Sequence, residues 1–396
     1  MKNQQPTNSG ESDQTALTAP IASNRGADRR TFMAAATGAL ATWPALSAIE
    51  AAGAAPAPKA APTAAPIASD AKPFVLDCQS HLFCPEVVAH MERRTSDPRV
   101  FIRDGTRFVQ MGDWLRKIPP HYLDVDVKLS AMDAAGISIT ALSVNDPGPE
   151  WFGDDGPAIA RTMNDFVADV VRRHPTRFIG LCVLPLQDMP AALEEFDRAT
   201  GALGLRGILL YTNLVGRFVD EPEYRPLFAR AAERNLPILL HPAKPLTTDV
   251  VKGYEMTSSL GNMFDNTIAL TRIIMSGILD EYPTLKLVCP HLGGTLPYIV
   301  GRLDHQTQVL KRGPKNLRHA PSEYLKRVWL DIVSPLPLAM KFGYDFMGPE
   351  RLLFASDHPW VEPAVILDAL GSLKLPADDQ RKILGDNARR LFGLTT

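Results

Sequence analysis

Phe74-Val75-Leu76-Asp77-Cys78-Gln79-Ser80-His81 is a short apolar run that ends abruptly in side chains able to hold a metal or move a proton. Its apolar start is continuous rather than alternating, as a parallel strand covered on both faces requires. Seven further runs share that character: Ser138–Val144, Phe178–Pro185, Gly207–Tyr211, Pro237–His241, Lys286–His291, Val328–Val333 and Leu352–Asp357. Amphipathic segments separate them. In Ile159–His174 the apolar residues Ile159, Met163, Phe166, Val167 and Val170 recur at helical spacing, and Ala191–Leu203, Tyr224–Asn235, Met263–Tyr282 and Pro297–Gln306 read alike. Strand and helix units in this alternation predict a single α/β domain, a (β/α)8 TIM-like barrel over residues 73–396. An open doubly wound sheet would carry a glycine-rich phosphate turn after the first strand, and none follows it.

Two stretches depart from the alternation. Leu82–Tyr122, with Asp104-Gly105 and Pro119-Pro120, is a long insertion directly after the first strand, which in a barrel is the top face, so it is expected to cap the site. Asp378–Gly393 begins with acidic and ends with basic residues, the charge order of a helix, and is expected to pack outside the barrel.

The N-terminal residues differ in kind. Residues 1–72 are rich in Ala, Pro, Ser and Thr and cannot bury a core. Asp28-Arg29-Arg30-Thr31-Phe32-Met33, the mildly apolar Ala34–Ala48 and the small residues Ala52-Gly53-Ala54 read in order as a twin-arginine export signal at 1–54, with a Pro/Ala-rich linker at 55–72. An exported, periplasmic protein is the expectation, without a stable membrane span, since no segment reaches the ~20 apolar residues a bilayer demands. A net charge of −2 and the lack of a Lys/Arg block argue against nucleic acid as a partner. Cys78, Cys84, Cys182 and Cys289 show no C-x-x-C spacing and are expected as free buried thiols.

Barrel enzymes carry their chemistry at the C-terminal ends of strands. Here one strand ends in Gln79 and His81, another in His241, a third in His291 and the last in Asp357-His358. Side chains alternate along a strand, so Asp77, Gln79 and His81 are expected on one face and Cys78 and Ser80 on the other. His241 or His291 alone would read as a core histidine; at three strand ends with Asp357 they read as a metal or acid/base centre. Two imidazoles and a carboxylate, with the amide oxygen of Gln79 as a fourth donor, suit a divalent metal, zinc first and manganese second.

The blocks KLVCPHLGGTLPYIVG at Lys286–Gly301, RLLFASDHPW at Arg351–Trp360, NLPILLHP at Asn235–Pro242, GLRGILLYTN at Gly204–Asn213, RRHPTRFIGLCVLPLQD at Arg172–Asp188 and the tail ILGDNARRLFGL resemble the amidohydrolase-related group of aminocarboxymuconate-semialdehyde decarboxylase. By that resemblance His81, His241 and Asp357 match metal ligands, and His291 matches the catalytic histidine. Arg302 matches an arginine that dimers donate across their interface to a substrate carboxylate, and Arg107 a second carboxylate-binding arginine. Asn213 and Trp360 join them as candidate substrate contacts. The sequence departs from the group at Gln79, where His-x-His is common, and a neutral amide is a weaker donor than imidazole. The resemblance implies a homodimeric, metal-dependent decarboxylase of an aromatic or unsaturated carboxylic acid, a small-molecule substrate. A metal-dependent hydrolase of an ester, lactone or amide would use the same residues, and a non-catalytic exported binding protein would retain the barrel alone.

Overall fold

In the computed structural model, which describes residues 73–394, eight parallel strands pair in the order in which the chain lays them down. They are β1 (Leu76–Leu82), β2 (Ile139–Val144), β3 (Phe178–Cys182), β4 (Gly207–Tyr211), β5 (Pro237–His241), β6 (Lys286–Cys289), β7 (Trp329–Asp331) and β8 (Leu352–Leu353). Backbone hydrogen bonds from Cys78 N to Phe354 O (3.0 Å), Asp357 N to Gln79 O (3.0 Å) and His81 N to His358 O (2.8 Å) join the last strand to the first. The sheet closes into a barrel with helices around it, so no edge is left to pair with another chain. The expected signal segment and linker, at 1–54 and 55–72, lie outside the described residues.

Several strands are shorter than the apolar runs that announce them. β6 stops at Cys289 and β8 at Leu353, because the backbone leaves the sheet there to present His291 and Asp357. Alternation along β1 also fails at one point. Its pairing with β2 shifts register between Asp77 and Ser80, a local irregularity that reverses the phase. Asp77 therefore parts company with Gln79 and His81: its carboxylate accepts from Ser356 N (2.9 Å) and Ser356 Oγ (2.5 Å), while Gln79 and His81 turn to Asp357.

Helix α1 (Val125–Ala134), which the periodicity did not single out, starts at Asp124, whose carboxylate accepts from Asp126 N (2.8 Å) and Val127 N (3.2 Å). The long helix expected over Met263–Tyr282 is split into α2 (Asn262–Met275) and a short turn at Ile278–Glu281. Gly277 between them has φ 81°, a conformation that ends helices. Helices α3 (Leu296–Asp304) and α4 (Pro337–Met347) follow β6 and β7.

The insertion folds as a helix, Pro85–Glu92, and a three-stranded antiparallel sheet, Arg99–Arg103, Thr106–Met111 and Trp114–Lys117. Asp104 and Gly105 both take positive φ (51° and 71°), the conformation a tight hairpin turn demands. The sheet is tied down to the loop after β5 by an ion pair of Asp113 with Lys244 Nζ (2.9 Å). All four cysteines are buried and free. No helix among the described residues is long and apolar enough to cross a membrane.

The tail helix region Ala377–Phe392 packs under the barrel, where Phe354 N donates to Ile383 O (2.8 Å). A methyl at Gly385 would come within 2.6 Å of the Phe74 carbonyl oxygen and 2.7 Å of its ring. In an open helix Gly→Ala gains about 1 kcal/mol. Here the clash is expected to win, so Gly385→Ala should lower stability by roughly 1–2 kcal/mol in urea denaturation; a gain would show that the tail does not dock this closely.

Candidate metal and catalytic centre

Asp357 occupies the centre of the barrel's top. His81 Nε2 lies 3.3 Å from its Oδ1, His241 Nε2 3.9 Å from the same oxygen, and His291 Nε2 3.5 Å from Oδ2. The rings of His81 and His241 meet edge to face at 4.4 Å. Asp357 and His291 both hold left-handed backbone conformations, with φ 59° and 55°. Such conformations cost a non-glycine residue on the order of 1–3 kcal/mol and persist where the surroundings enforce them, commonly at functional sites.

The partners of the other ring nitrogens separate the three histidines. His241 Nδ1 faces the Pro242 carbonyl oxygen at 2.7 Å and must carry the hydrogen, since a carbonyl only accepts. His81 Nδ1 lies 2.7 Å from Ser143 Oγ, which itself donates to Ser80 O (3.4 Å), so this nitrogen too is the donor. In neutral His81 and His241, Nε2 is then a bare lone pair, and both atoms are buried with no hydrogen-bond partner. His291 has the opposite tautomer: the Asn266 side-chain amide, as oriented, donates to its Nδ1 (2.9 Å), leaving Nε2–H toward Asp357.

Electrostatics agrees. Burial, then the neighbouring His241, pulls the His81 imidazole down to about 4, so it is neutral at pH 7. Burial alone would raise Asp357, but the three imidazoles that face it, His241, His291 and His81, hold it well below the usual carboxylate range. Burial also works against charge on His291, yet the hydrogen bond and charge of Asp357, with the charge of Asp331, raise its pKa. Two lone pairs aimed at one anionic oxygen repel unless a cation lies between them. His81, His241 and Asp357 offer donor atoms within 4.8 Å of one another, so the residues present fit a divalent metal.

Gln79 comes to the centre as a donor: its Nε2 lies 3.3 Å from Asp357 Oδ1. A half-turn of the amide would exchange Nε2 for Oε1 with little change of shape. His358 acts through its backbone, its carbonyl accepting from Ser80 Oγ (3.1 Å) and His81 N.

Of the substrate-contact candidates, Trp360 is the one tied to the backbone of the centre, its N donating to Asp357 O (2.9 Å). Its Nε1 donates to Asn145 Oδ1 (2.8 Å), Tyr122 and Phe83 pack edge-on to it, and the Arg116 guanidinium stacks 4.0 Å over its ring. Arg107 pairs with Glu92 inside the insertion (3.1 Å). Asn213 is spent on structure, donating to Asp265 Oδ2 (2.8 Å) and Lys244 O (3.0 Å). Arg302 is exposed on α3.

Sequence reasoning missed Arg116, Ser143, Asn266 and Asp331. Arg116 reaches down from the insertion to pair with buried Asp146. Asp331, which accepts from His291 N (2.7 Å), ends β7 and stands as a lone charge inside the apolar run Val328–Val333, and that interruption was its signal. Beside this wall, Tyr211 Oη, Asp146 Oδ2 and Glu150 Oε1 are buried without partners, and the Tyr211 ring lies 6.1 Å from that of His241.

The model of the family described as Amidohydrolase matches residues 77–394. Gamma-resorcylate decarboxylase of Rhizobium sp. is 30% identical over 316 residues, covering 74% of this chain and 94% of the relative. The 2-amino-3-carboxymuconate-6-semialdehyde decarboxylase of Dictyostelium discoideum is 27% identical over 297 residues, 72% of this chain and 80% of that one. Among solved structures, a dihydroxybenzoic acid decarboxylase of Polaromonas sp. with bound manganese and the inhibitor 2-nitroresorcinol superposes with a TM-score of 0.69 at 25% identity. It covers 82% of this chain and 98% of that one.

Two measurements check the centre. Purified protein should hold about one divalent ion per chain, and His241→Ala or Asp357→Asn should reduce metal content by elemental analysis about tenfold or more; undiminished content in both variants would refute the ligand set. The second concerns Glu150. The residue is partly exposed as a whole, but its carboxyl is buried and pushed up to about 8 by that burial. Between the unfolded value near 4.5 and 8, only the unfolded chain releases this proton, so stability falls as pH rises. Glu150→Gln should flatten the decline in urea midpoint between pH 5 and 8, and an unchanged slope would count against a buried acid there.

Proposed function

The chain belongs to the amidohydrolase family, and from that premise we propose that it is a metal-dependent decarboxylase of an aromatic carboxylic acid. The observation that carries the reading is the Arg116 guanidinium stacked on Trp360 above the His81–His241–Asp357 centre. A flat aromatic surface beside a fixed cation suits an aromatic acid. An apolar pocket without such an arginine would have favoured hydrolysis of an ester, lactone or amide.

His81, His241 and Asp357 would hold the metal, which supplies a Lewis acid for the substrate's carboxylate and an adjacent oxygen. Arg116 and Trp360 orient the ring. His291 carries a hydrogen on Nε2 and is held by Asn266 and by Asp331, through its backbone nitrogen. When the bond to the carboxyl carbon breaks, its electron pair stays on the ring carbon, CO₂ leaves, and the proton held between His291 and Asp357 moves to that carbon.

As the ion we propose zinc, which the donor set would accommodate, with manganese as the alternative that the manganese-bound Polaromonas decarboxylase supports. A homodimer is part of the proposal: Tyr298 on α3 and Leu338 and Phe342 on α4 are exposed apolar residues on helices that meet, Tyr298 and Phe342 being 6.5 Å apart, and Arg302 shares α3 with Tyr298. Export by the twin-arginine route rests on Arg29-Arg30 and the small-residue site that follows.

Metal-reconstituted enzyme should release CO₂ from one or more hydroxybenzoates while leaving an esterase and lactonase panel untouched. His291→Ala should cut kcat about 10²–10⁴-fold, the usual range for a lost general acid. Ester or lactone turnover without CO₂ release would replace this reading with the hydrolase.

A further inference from the structure

Lys128 on α1 is among the largest fully buried side chains of the protein, and none of the chemistry above uses it. A buried amine is rare unless it has a task, because removing it from water is costly. No carboxylate pairs with it directly. Its Nζ donates instead to Ser80 Oγ (2.7 Å) and to the His358 carbonyl (2.8 Å), and Ser80 Oγ donates to the same carbonyl (3.1 Å).

Those two acceptors stand on either side of the barrel's closing seam. Ser80 lies between Gln79 and His81 on β1, and His358 directly follows Asp357. The sheet is short at this seam: β8 has only two residues, and past Leu353 the chain is held to β1 by three backbone bonds, from Cys78 N, Asp357 N and His81 N. Asp77, whose charge also acts on Lys128, grips Ser356, and Ser356 Oγ accepts from His358 N (3.0 Å).

We propose that Lys128 is a positioning residue for the metal: by bridging Ser80 and His358 it fixes the spacing between His81 on the first strand and Asp357 after the last. The inference rests on the reading of His81, His241 and Asp357 as metal ligands. Lys128 hydrogen-bonds to none of them, and acts through the Ser80 hydroxyl and the His358 carbonyl, which adjoin His81 and Asp357 in the chain. Outer contacts of this kind commonly alter metal affinity 10–100-fold when lost.

The test uses the full chain, stripped of metal and titrated with Mn²⁺ by calorimetry, with the electron paramagnetic resonance spectrum of the bound ion as second readout. Lys128→Met, similar in volume but without donors, should weaken Mn²⁺ binding about tenfold or more and change the spectrum. Ser80→Ala, which removes one bridge point, should give a smaller loss in the same direction. Gly385→Ala, destabilised at the tail helix, should bind Mn²⁺ as the parent does, which separates positioning from general loss of stability. Parent-like affinity and spectrum in Lys128→Met, or an equal loss in Gly385→Ala, would overturn the proposal. Should Lys128→Met fail to fold, Ser80→Ala decides by the same readouts. Failure of the underlying metal reading has a different signature: His81→Ala would then bind Mn²⁺ as well as the parent.

Discussion

Two imidazole nitrogens without hydrogens point at one carboxylate oxygen, and the architecture of the barrel's top follows from that unstable arrangement. His241 is committed to it by a carbonyl that can only accept, and His81 by a serine whose own hydrogen is used elsewhere. Repulsion among lone pairs in a buried place is tolerable when a cation satisfies all three atoms, and costs several kcal/mol when nothing does. A divalent ion thus belongs to the folded state as much as to the chemistry. His291 differs in one respect, a hydrogen on Nε2, which suits it to give a proton where the other two are suited to bind.

Holding these groups together demands strain and reinforcement. Asp357 and His291 adopt backbone conformations that cost energy, Asp357 at the seam where the sheet has almost run out and His291 just past the end of β6. Compensation comes from contacts around the centre: the bridge of Lys128, the grip of Asp77 on Ser356, and Asp331 bound to the His291 backbone. A polar group that supports the ligands from behind can do so without occupying the space the substrate needs. Burial of so many polar side chains in one region would be destabilising unless they were paired, and most of them are paired with one another.

The sequence made the barrel legible because strands buried on both faces must be continuously apolar, and their reactive ends stand out against that background. His81, His241, His291 and Asp357 were visible for this reason, and Asp331 should have been. Faces along β1 were legible only as far as regular alternation lasts, since an irregularity at Asp77 reverses the phase without leaving a mark in residue type. Arg116 was harder. It lies in an antiparallel sheet inside an insertion, and its role depends on where that sheet docks, which no local periodicity encodes. Arg107 stands on the next strand of the same sheet and meets Glu92 instead, so residue type alone could not rank the two.

Gln79 is best understood through charge. With His81 neutral and Asp357 ionised, a divalent ion leaves the centre with one positive charge in excess. An acidic residue in place of Gln79 would cancel that charge, and its amide adds none. In a buried site of low effective dielectric, an unbalanced charge is a strong attraction for an anion and a poor environment for a neutral ester or lactone. On the proposed reading, the amide at residue 79, a weaker donor to a metal than imidazole, would leave the site better suited to a carboxylate than an acidic residue there would.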